Sequence, residues 1–380
     1  MALIDFKVLP GIDKQDTTSG AENRWVDCDN TRFRYGLPEK VGGWSSLVTD
    51  TIVGVARRQF AFVDLDGNRY IAIGTDKFLL IYFEGQLYDI TPLKTTLSSC
   101  TIATTNASAI CSITKASHGL SAGDIVLLDN VTLPVGTGYS NSDFEDKLFQ
   151  VTSITSSSVF TITQSSNATA TVSTGGSLEV KPYEQVGPAE QSYGYGWGID
   201  TWSSGAWGEA ASASDVSLEP GLWSLSNFGQ VLVATIANGK TFTWNAGIAA
   251  RLTTRASTTT SGFSTSANPT ATRVTLVSPT TRHLIHLGTE TTIGDTSTQD
   301  DMFIRFSDQE DINDYTPTAI NSAGSQRLQD GTKIMGSLKA KETILVWTDN
   351  ALYTMKFIGS PFTFGFEQVG TNCGLIGKNA

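Results

Sequence analysis

Thr343-Ile-Leu-Val-Trp-Thr348, then Asp349-Asn350, then Leu352-Tyr-Thr-Met-Lys-Phe357 is the stretch that decides the fold. Tyr353, Met355 and Phe357 recur at every second residue, a period that puts them on one face of a half-buried antiparallel strand. The Asp349-Asn350 pair between the two apolar runs predicts a tight turn, with positive φ if the turn type requires it. The same order of apolar run, polar turn and apolar run occurs at 70–89 and 231–252, with 344–366 as the third copy. In the second copy Phe242 and Trp244 take the alternating positions. In the first, Asp76-Lys77 separates Tyr70-Ile-Ala-Ile73 from Phe78-Leu-Leu-Ile-Tyr-Phe83, and Glu84-Gly85 makes a second turn. A weaker fourth copy lies at 283–306. A hairpin repeated along one chain points to an architecture assembled from copies.

Composition agrees with strands and turns. At 380 residues the chain has length for two or three domains, and its 39% hydrophobic content is that of a soluble protein. The 36 glycines, the many Ser and Thr, and only 17% charged residues suit a turn-rich β protein with hydroxyls on its outward strand faces. No apolar run approaches the length of a membrane span, and Met1-Ala-Leu-Ile-Asp-Phe-Lys7 lacks the features of a signal peptide. The expectation is synthesis in a cytosol without export, and no membrane partner. Cys28, Cys100, Cys111 and Cys373 have no metal-binding spacing, and a reducing compartment disfavours disulfides, so they read as packing residues. A net charge of −11 argues against holding nucleic acid by phosphate neutralisation. It is compatible with a wall that DNA slides past, although its plain reading is solubility.

Three regions follow. Residues 1–94 hold an irregular segment, punctuated by Pro10-Gly11 and Gly36-Leu-Pro38 and expected to wrap over other elements, and then the first hairpin copy. Residues 95–182 turn sharply to Ser, Thr, Ala and Asn. Four strands are legible there, at Ala109-Ile-Cys-Ser-Ile-Thr114, Asp124-Ile-Val-Leu-Leu128, Leu148-Phe-Gln-Val-Thr152 and Val159-Phe-Thr-Ile-Thr163, so this region reads as an inserted small β-barrel or sandwich domain. Residues 183–380 hold a Gly/aromatic linker, Tyr193-Gly-Tyr-Gly-Trp-Gly198, and the further copies. The copies begin at 70, 231, 283 and 344, uneven spacing that suits divergent propeller blades of about 40 to 60 residues with an insertion after the first. The fold class is thus all-β: a divergent, incomplete β-propeller with an inserted domain.

Chemistry is sparse. His283 and His286, three apart on a predicted strand, point to opposite faces and cannot share an ion without a bulge. His118, in Ala116-Ser-His-Gly-Leu-Ser121, reads as a turn residue. The acids Asp300, Asp301, Asp308, Glu310, Asp311 and Asp314 face one local cation, Arg305; they lack the spacing of a calcium loop and read as a solvated turn. No nucleophile elbow, phosphate loop or zinc-protease motif occurs. No catalytic residue, cofactor or metal is assigned, and the chain reads as no enzyme. Trp197, Trp202 and Trp207 are the candidate aromatic side chains for packing a linker, for an interface, or for stacking on sugar rings.

The run Phe303-Ile-Arg-Phe-Ser-Asp-Gln-Glu-Asp-Ile-Asn-Asp-Tyr-Thr-Pro317, with Asn321-Ser-Ala-Gly324, Gly331-Thr-Lys-Ile334, the Trp347 hairpin and Gly370-Thr-Asn-Cys-Gly-Leu-Ile-Gly377, resembles tail proteins of tailed bacteriophages. The likeness is to the β-propeller hub or nozzle of short-tailed phages, the class that includes packaged-DNA stabilisation proteins. Arg24-Trp25, Arg32-Phe-Arg-Tyr-Gly-Leu-Pro-Glu-Lys-Val-Gly-Gly-Trp44 and the Tyr-Gly-Tyr-Gly-Trp-Gly tract are similar to the same family. The 116–124 piece is similar to a small β module inserted in phage structural proteins. The resemblance implies a virion tail protein assembled in host cytoplasm: one subunit of a homo-oligomeric ring, commonly a hexamer, below the portal and head–tail adaptor. DNA would pass through its lumen, acidic or neutral, without specific binding. It also implies further blades beyond Ala380, the last copy being cut short. Rival readings are a carbohydrate-binding receptor-recognition protein at the tail tip, a glycan-cleaving enzyme and a bacterial propeller lectin.

Overall fold

Strands with apolar residues on one face and hydroxyls or charges on the other account for nearly all the regular structure. Helical geometry is confined to short 3-10 turns such as Asn141–Asp143 and Thr296–Thr298 among the described residues. The computed structural model describes residues 8–48, 50–188, 190, 219–258 and 267–378. The chain divides into two units, Met1–Thr49 and Asp50–Ala380.

In the first unit β1 (Leu9–Ile12) pairs in parallel with β2 (Arg24–Trp25), and β3 (Thr31–Arg34) forms a hairpin with β4 (Leu37–Lys40). Tyr35 and Gly36 at its turn both have positive φ, the conformation that matches the twist of a two-residue hairpin. This hairpin is not legible as a strand pair because charged Arg32, Arg34, Glu39 and Lys40 and the interrupting Pro38 blur the apolar alternation.

The second unit opens with a four-stranded antiparallel meander of β5 (Ala56–Val63), β6 (Arg69–Thr75), β7 (Leu79–Phe83) and β8 (Gln86–Asp89). A closed six-stranded barrel follows, made of β9 (Leu97–Thr104), β10 (Ile110–Thr114), β11 (Ile125–Thr132), β12 (Lys147–Ser156), β13 (Val159–Thr163) and β14 (Val172–Pro182). Its order is β10-β13-β12-β11-β14-β9, so β14 and β9 together close the circle that the four legible strands leave open. Three more antiparallel meanders complete the unit. The second sheet has β15 (Trp223–Phe228), β16 (Val231–Ile236) and β17 (Thr241–Asn245). The third has β18 (Thr272–Val277), β19 (Leu284–Thr289), β20 (Phe303–Phe306) and β21 (Gly324–Arg327). The fourth has β22 (Ile334–Lys339), β23 (Thr343–Thr348), β24 (Ala351–Gly359) and β25 (Thr363–Thr371). Each copy of the repeated hairpin therefore begins on the second strand of a meander. Asp349 and Asn350 do form the β23–β24 turn, but without positive φ. The Thr348 hydroxyl accepts the N–H groups of Asn350 and Ala351 instead and holds the turn in ordinary backbone geometry.

The barrel is filled by its own alternation. Cys100, Ile102, Ile113, Val126, Leu128, Phe160, Ile162 and Val180 are all fully buried within it. Its two ends leave the first sheet side by side. Leu93 bridges Tyr183, the Lys94 N–H donates to the Pro182 carbonyl, and the Glu184 N–H donates to the Pro92 carbonyl. A domain whose ends meet in this way can be inserted without prying its host open. Tyr183 then donates to Asp89 at 2.6 Å while Arg255 donates to both, at 2.9 Å to Asp89 and 2.7 Å to the Tyr183 hydroxyl. One apolar cluster, with Phe78, Leu80 and Tyr183 at its centre and Ile125 and Leu127 against it, seats the barrel on the first sheet.

The sheets stack through their faces. Trp244 meets the stacked rings of Phe62 and Tyr70 edge to face between the first and second sheets. Val233, Val277, Leu284 and Ile312 fill the space between the second and third. Ile285, Leu287, Ile304, Val346, Tyr353 and Met355 fill that between the third and fourth. The first strands of the meanders adjoin one another: β15 packs against β5 on one side and β18 on the other, and β18 adjoins β22. Between β15 and β18 hydroxyls bridge the two strands. Ser224 donates to the Thr275 carbonyl at 2.7 Å and accepts the Thr275 N–H at 3.0 Å, and Ser226 accepts the Val277 N–H at 3.1 Å.

Candidate functional site

Because β5, β15, β18 and β22 lie side by side, their polar residues converge. A cavity of about 230 Å³ opens among them, lined by Arg58 and Phe60 of β5, Trp223 and Ser224 of β15, Arg273 and Thr275 of β18, and Ser337 and Lys339 of β22, with Lys378 beside them. Neighbouring hollows add Arg57 on one side and Glu219, Asp301 and Lys333 on the other. Six cations thus gather around two carboxylates in a chain whose overall charge is −11.

The two carboxylates are already engaged. Glu219 takes Arg273 at 2.9 Å, Lys378 at 2.8 Å and Lys333 at 3.1 Å. Burial alone would raise its pKa, but the hydrogen bonds and charges of Lys378 and Arg273 outweigh that and hold it at about 2. Arg273, itself buried, spends its remaining donors on Asp301 at 3.0 Å and on the Ile334 carbonyl at 3.1 Å. This cluster ties the residues leading into the second sheet to the third sheet, the start of the fourth and Lys378.

Lys339 and Arg58 stand differently. The Lys339 ammonium donates to Ser226 Oγ at 2.8 Å and lies 6.0 Å from the Phe60 ring centroid, a contact between the last sheet and the first. Desolvation and the Arg58 charge lower its pKa. Among the described residues neither Lys339 nor Arg58 has an ion-pair partner. The site therefore offers concentrated positive charge and hydroxyls, and no arrangement of nucleophile and base.

Of the residues singled out in the sequence, Asp301 joins this cluster through Arg273, whereas His118, His283 and His286 do not line the cavity. Trp197, Trp202 and Trp207 lie outside the described residues. His283 sits between the hydroxyls of Thr281 (2.6 Å) and Ser322 (2.9 Å) and packs on Phe364 of the last sheet. His286 meets the Tyr315 hydroxyl at 2.9 Å and Thr272 at 3.2 Å, so the two imidazoles serve different faces of the third sheet. Burial pushes their pKa values down to about 4 and about 3, which keeps both rings neutral. No group of three His, Cys, Asp or Glu gathers as a metal site among the described residues. His118 is in a turn but buried, accepting the Leu120 N–H at 3.0 Å and packing against Phe160. Of the acids at 300–314, Glu310 and Asp311 are exposed as a solvated turn would have them, whereas Asp300, Asp301, Asp308 and Asp314 are half-buried. Asp301 pairs with Arg273, Asp300 with Arg327 and Glu310 with Arg282, while Asp308 and Asp314 accept hydrogen bonds from Ser322 and Asn321.

No protein-family model matches the chain, and no curated protein does. Among solved structures it is similar to phage phi92 endosialidase, at 13% identity and a TM-score of 0.23, over 81% of this chain and 48% of that one. The chain thus spans about half the length of that structure. So distant a likeness carries no argument about activity.

Proposed function

We propose that the protein is a structural, non-enzymatic subunit of a tailed-phage virion, a tail hub or nozzle component whose meanders form a divergent β-propeller. Copies of it assemble into a ring, commonly sixfold, beneath the portal and adaptor, and DNA passes through the lumen without specific binding. The observation that carries this reading is the distribution of exposed hydrocarbon. In the second sheet no large apolar side chain is exposed, and in the third only Ile320, on a loop, among the described residues. The outer sheets differ: Val53, Val55, Val63 and Leu65 are exposed on or beside the first, and Leu338, Ile358, Phe362 and Val369 on the fourth. Inner sheets bury both faces against neighbours, and outer sheets keep apolar surface for a partner. The tail-protein motifs at 303–317 and 331–334 supply the kind of partner, further copies and other tail proteins.

Light scattering on the purified full chain tests this. Leu338→Glu and Val369→Glu are expected to reduce the assembly to monomers without lowering the melting temperature. A wild-type chain that is monomeric at tens of micromolar, alone and with its adaptor, would sink the proposal.

A further inference from the structure

Arg58 and Lys339 face one cavity from the first and last sheets, two like charges brought together with no carboxylate between them. Both side chains keep surface in solvent at the mouth of the cavity, so the paired positive charge is unbalanced within the protein and open to an anion. The acids of the adjoining hollow cannot supply that charge. Glu219 is held by Arg273, Lys333 and Lys378, and Asp301 by Arg273. The Ser337 hydroxyl, which makes no hydrogen bond among the described residues, lines the same cavity.

We propose that this cavity binds one small oxyanion of the phosphate type, held between Arg58 of β5 and Lys339 of β22 with the Ser337 hydroxyl as a third donor. A planar guanidinium and a compact ammonium suit a tetrahedral anion, one as a two-pronged donor and the other as a point charge. A volume of about 230 Å³ has room for a phosphate with its waters. The chain's overall negative charge repels polyanions at long range, which also favours a small ion. The anion would have a mechanical role. The first and last sheets approach each other here through the Lys339–Phe60 contact, and a shared counter-ion draws them together. This inference stands apart from the virion reading and does not depend on it.

Calorimetry on the full chain tests it, with sodium phosphate compared to sodium chloride at equal ionic strength. Titration should give one site, and the melting temperature should rise by about 3–4 °C at phosphate 100-fold above its Kd. Arg58→Gln or Lys339→Gln should weaken phosphate binding at least about tenfold, and the double variant should abolish it. Without phosphate Arg58→Gln should melt at or above the wild-type temperature, since a repulsion has been removed, whereas Lys339→Gln also gives up its contacts with Ser226 and Phe60 and should melt lower; Arg58→Gln therefore separates loss of a site from loss of the fold. A phosphate effect no larger than that of chloride, or one that survives in the double variant, would overturn the assignment. A 12-nucleotide single-stranded DNA should fail to displace phosphate. If it competes, and does so through the same two residues, the feature is a polyanion surface and the small-oxyanion site is wrong.

Discussion

Asp349 accepts the backbone N–H of Thr332 at 2.8 Å and so ties the turn after β23 to the residues leading into β22. Asp76 does the same to Val55 at 2.7 Å in the first sheet, and Glu290 to Thr270 at 3.1 Å in the third. Each acid directly follows the threonine that ends the second strand of its meander: Thr348, Thr75 and Thr289. In the first and last sheets that threonine also accepts two N–H groups of its own turn. Three of the four sheets are therefore closed at the same corner by the same device.

Removing the acid should open that corner. Asp76→Ala and Asp349→Ala each leave a charge-assisted hydrogen bond unmade, and each is expected to lower stability by about 1–3 kcal/mol. Urea midpoints at an unchanged m-value would measure this. A change within error at both sites would mean the clasp contributes nothing.

The clasp also dictates its glycines. Gly54 and Gly331 precede the first strands of their sheets with φ of +89° and +118°. An added Cβ at Gly331 would meet Thr348 Oγ1 at 2.6 Å and Asp349 Oδ1 at 2.7 Å, and at Gly54 it would run into the Asp76 carboxylate. Gly331→Ala should therefore destabilise by about 1–3 kcal/mol from backbone strain and crowding. Combined with Asp349→Ala, it should do less harm than the sum of the two, because one of the two crowding residues is gone. Strict additivity in that double-mutant cycle would refute the contact.

Acidification should weaken the fold through the third sheet. His283 and His286 titrate at about 4 and about 3 when folded but near 6.5 when the chain is open. Below pH 6.5 the unfolded state binds protons that the folded state refuses. Stability is therefore full above that value and falls as pH drops towards the folded pKa values, by up to about 1.4 kcal/mol per pH unit for each ring. His286→Gln should flatten the slope between pH 6.5 and 4 even if it lowers stability at pH 8. An unchanged slope would assign the acid sensitivity elsewhere.

Glu219 acts in a lower window. Its pKa of about 2 lies below the ordinary carboxylate value of 4.5, so its contribution is full above pH 4.5 and is lost as pH falls through 2. Glu219→Gln leaves Arg273, Lys333 and Lys378 crowded without their shared counter-charge, and should lower the neutral-pH stability by about 3 kcal/mol. Stability curves at pH 7 and pH 2 check this, since the deficit should shrink at the lower pH.

How far the sequence discloses this molecule depends on the range of the interaction. Tyr353 and Met355, or Phe242 and Trp244, announce their strands because apolar burial acts at a spacing of two residues, and the repeated hairpins are found on four meanders. β14 stays hidden because Ser173-Thr-Gly-Gly-Ser177 carries no apolar alternation before Leu178 and Val180. The cavity is invisible for a different reason. Arg58, Arg273, Lys339 and Lys378 belong to separate strands and a terminal stretch, and only the stacking of sheets makes them neighbours. Asp300 and Asp301 look solvated for the same cause, since Arg327 and Arg273 reach them from other elements. A usable signal was present in the recurrence of Gly54 with Thr75-Asp76 and of Gly331 with Thr348-Asp349, a pairing that period-two patterns do not detect.

Negative-stain electron microscopy of the assembled full chain tests the structural role most directly. Closed rings of a fixed subunit number, lost in Leu338→Glu, are the expected image. A field of single particles at assembly concentration, identical in wild type and variant, would contradict it.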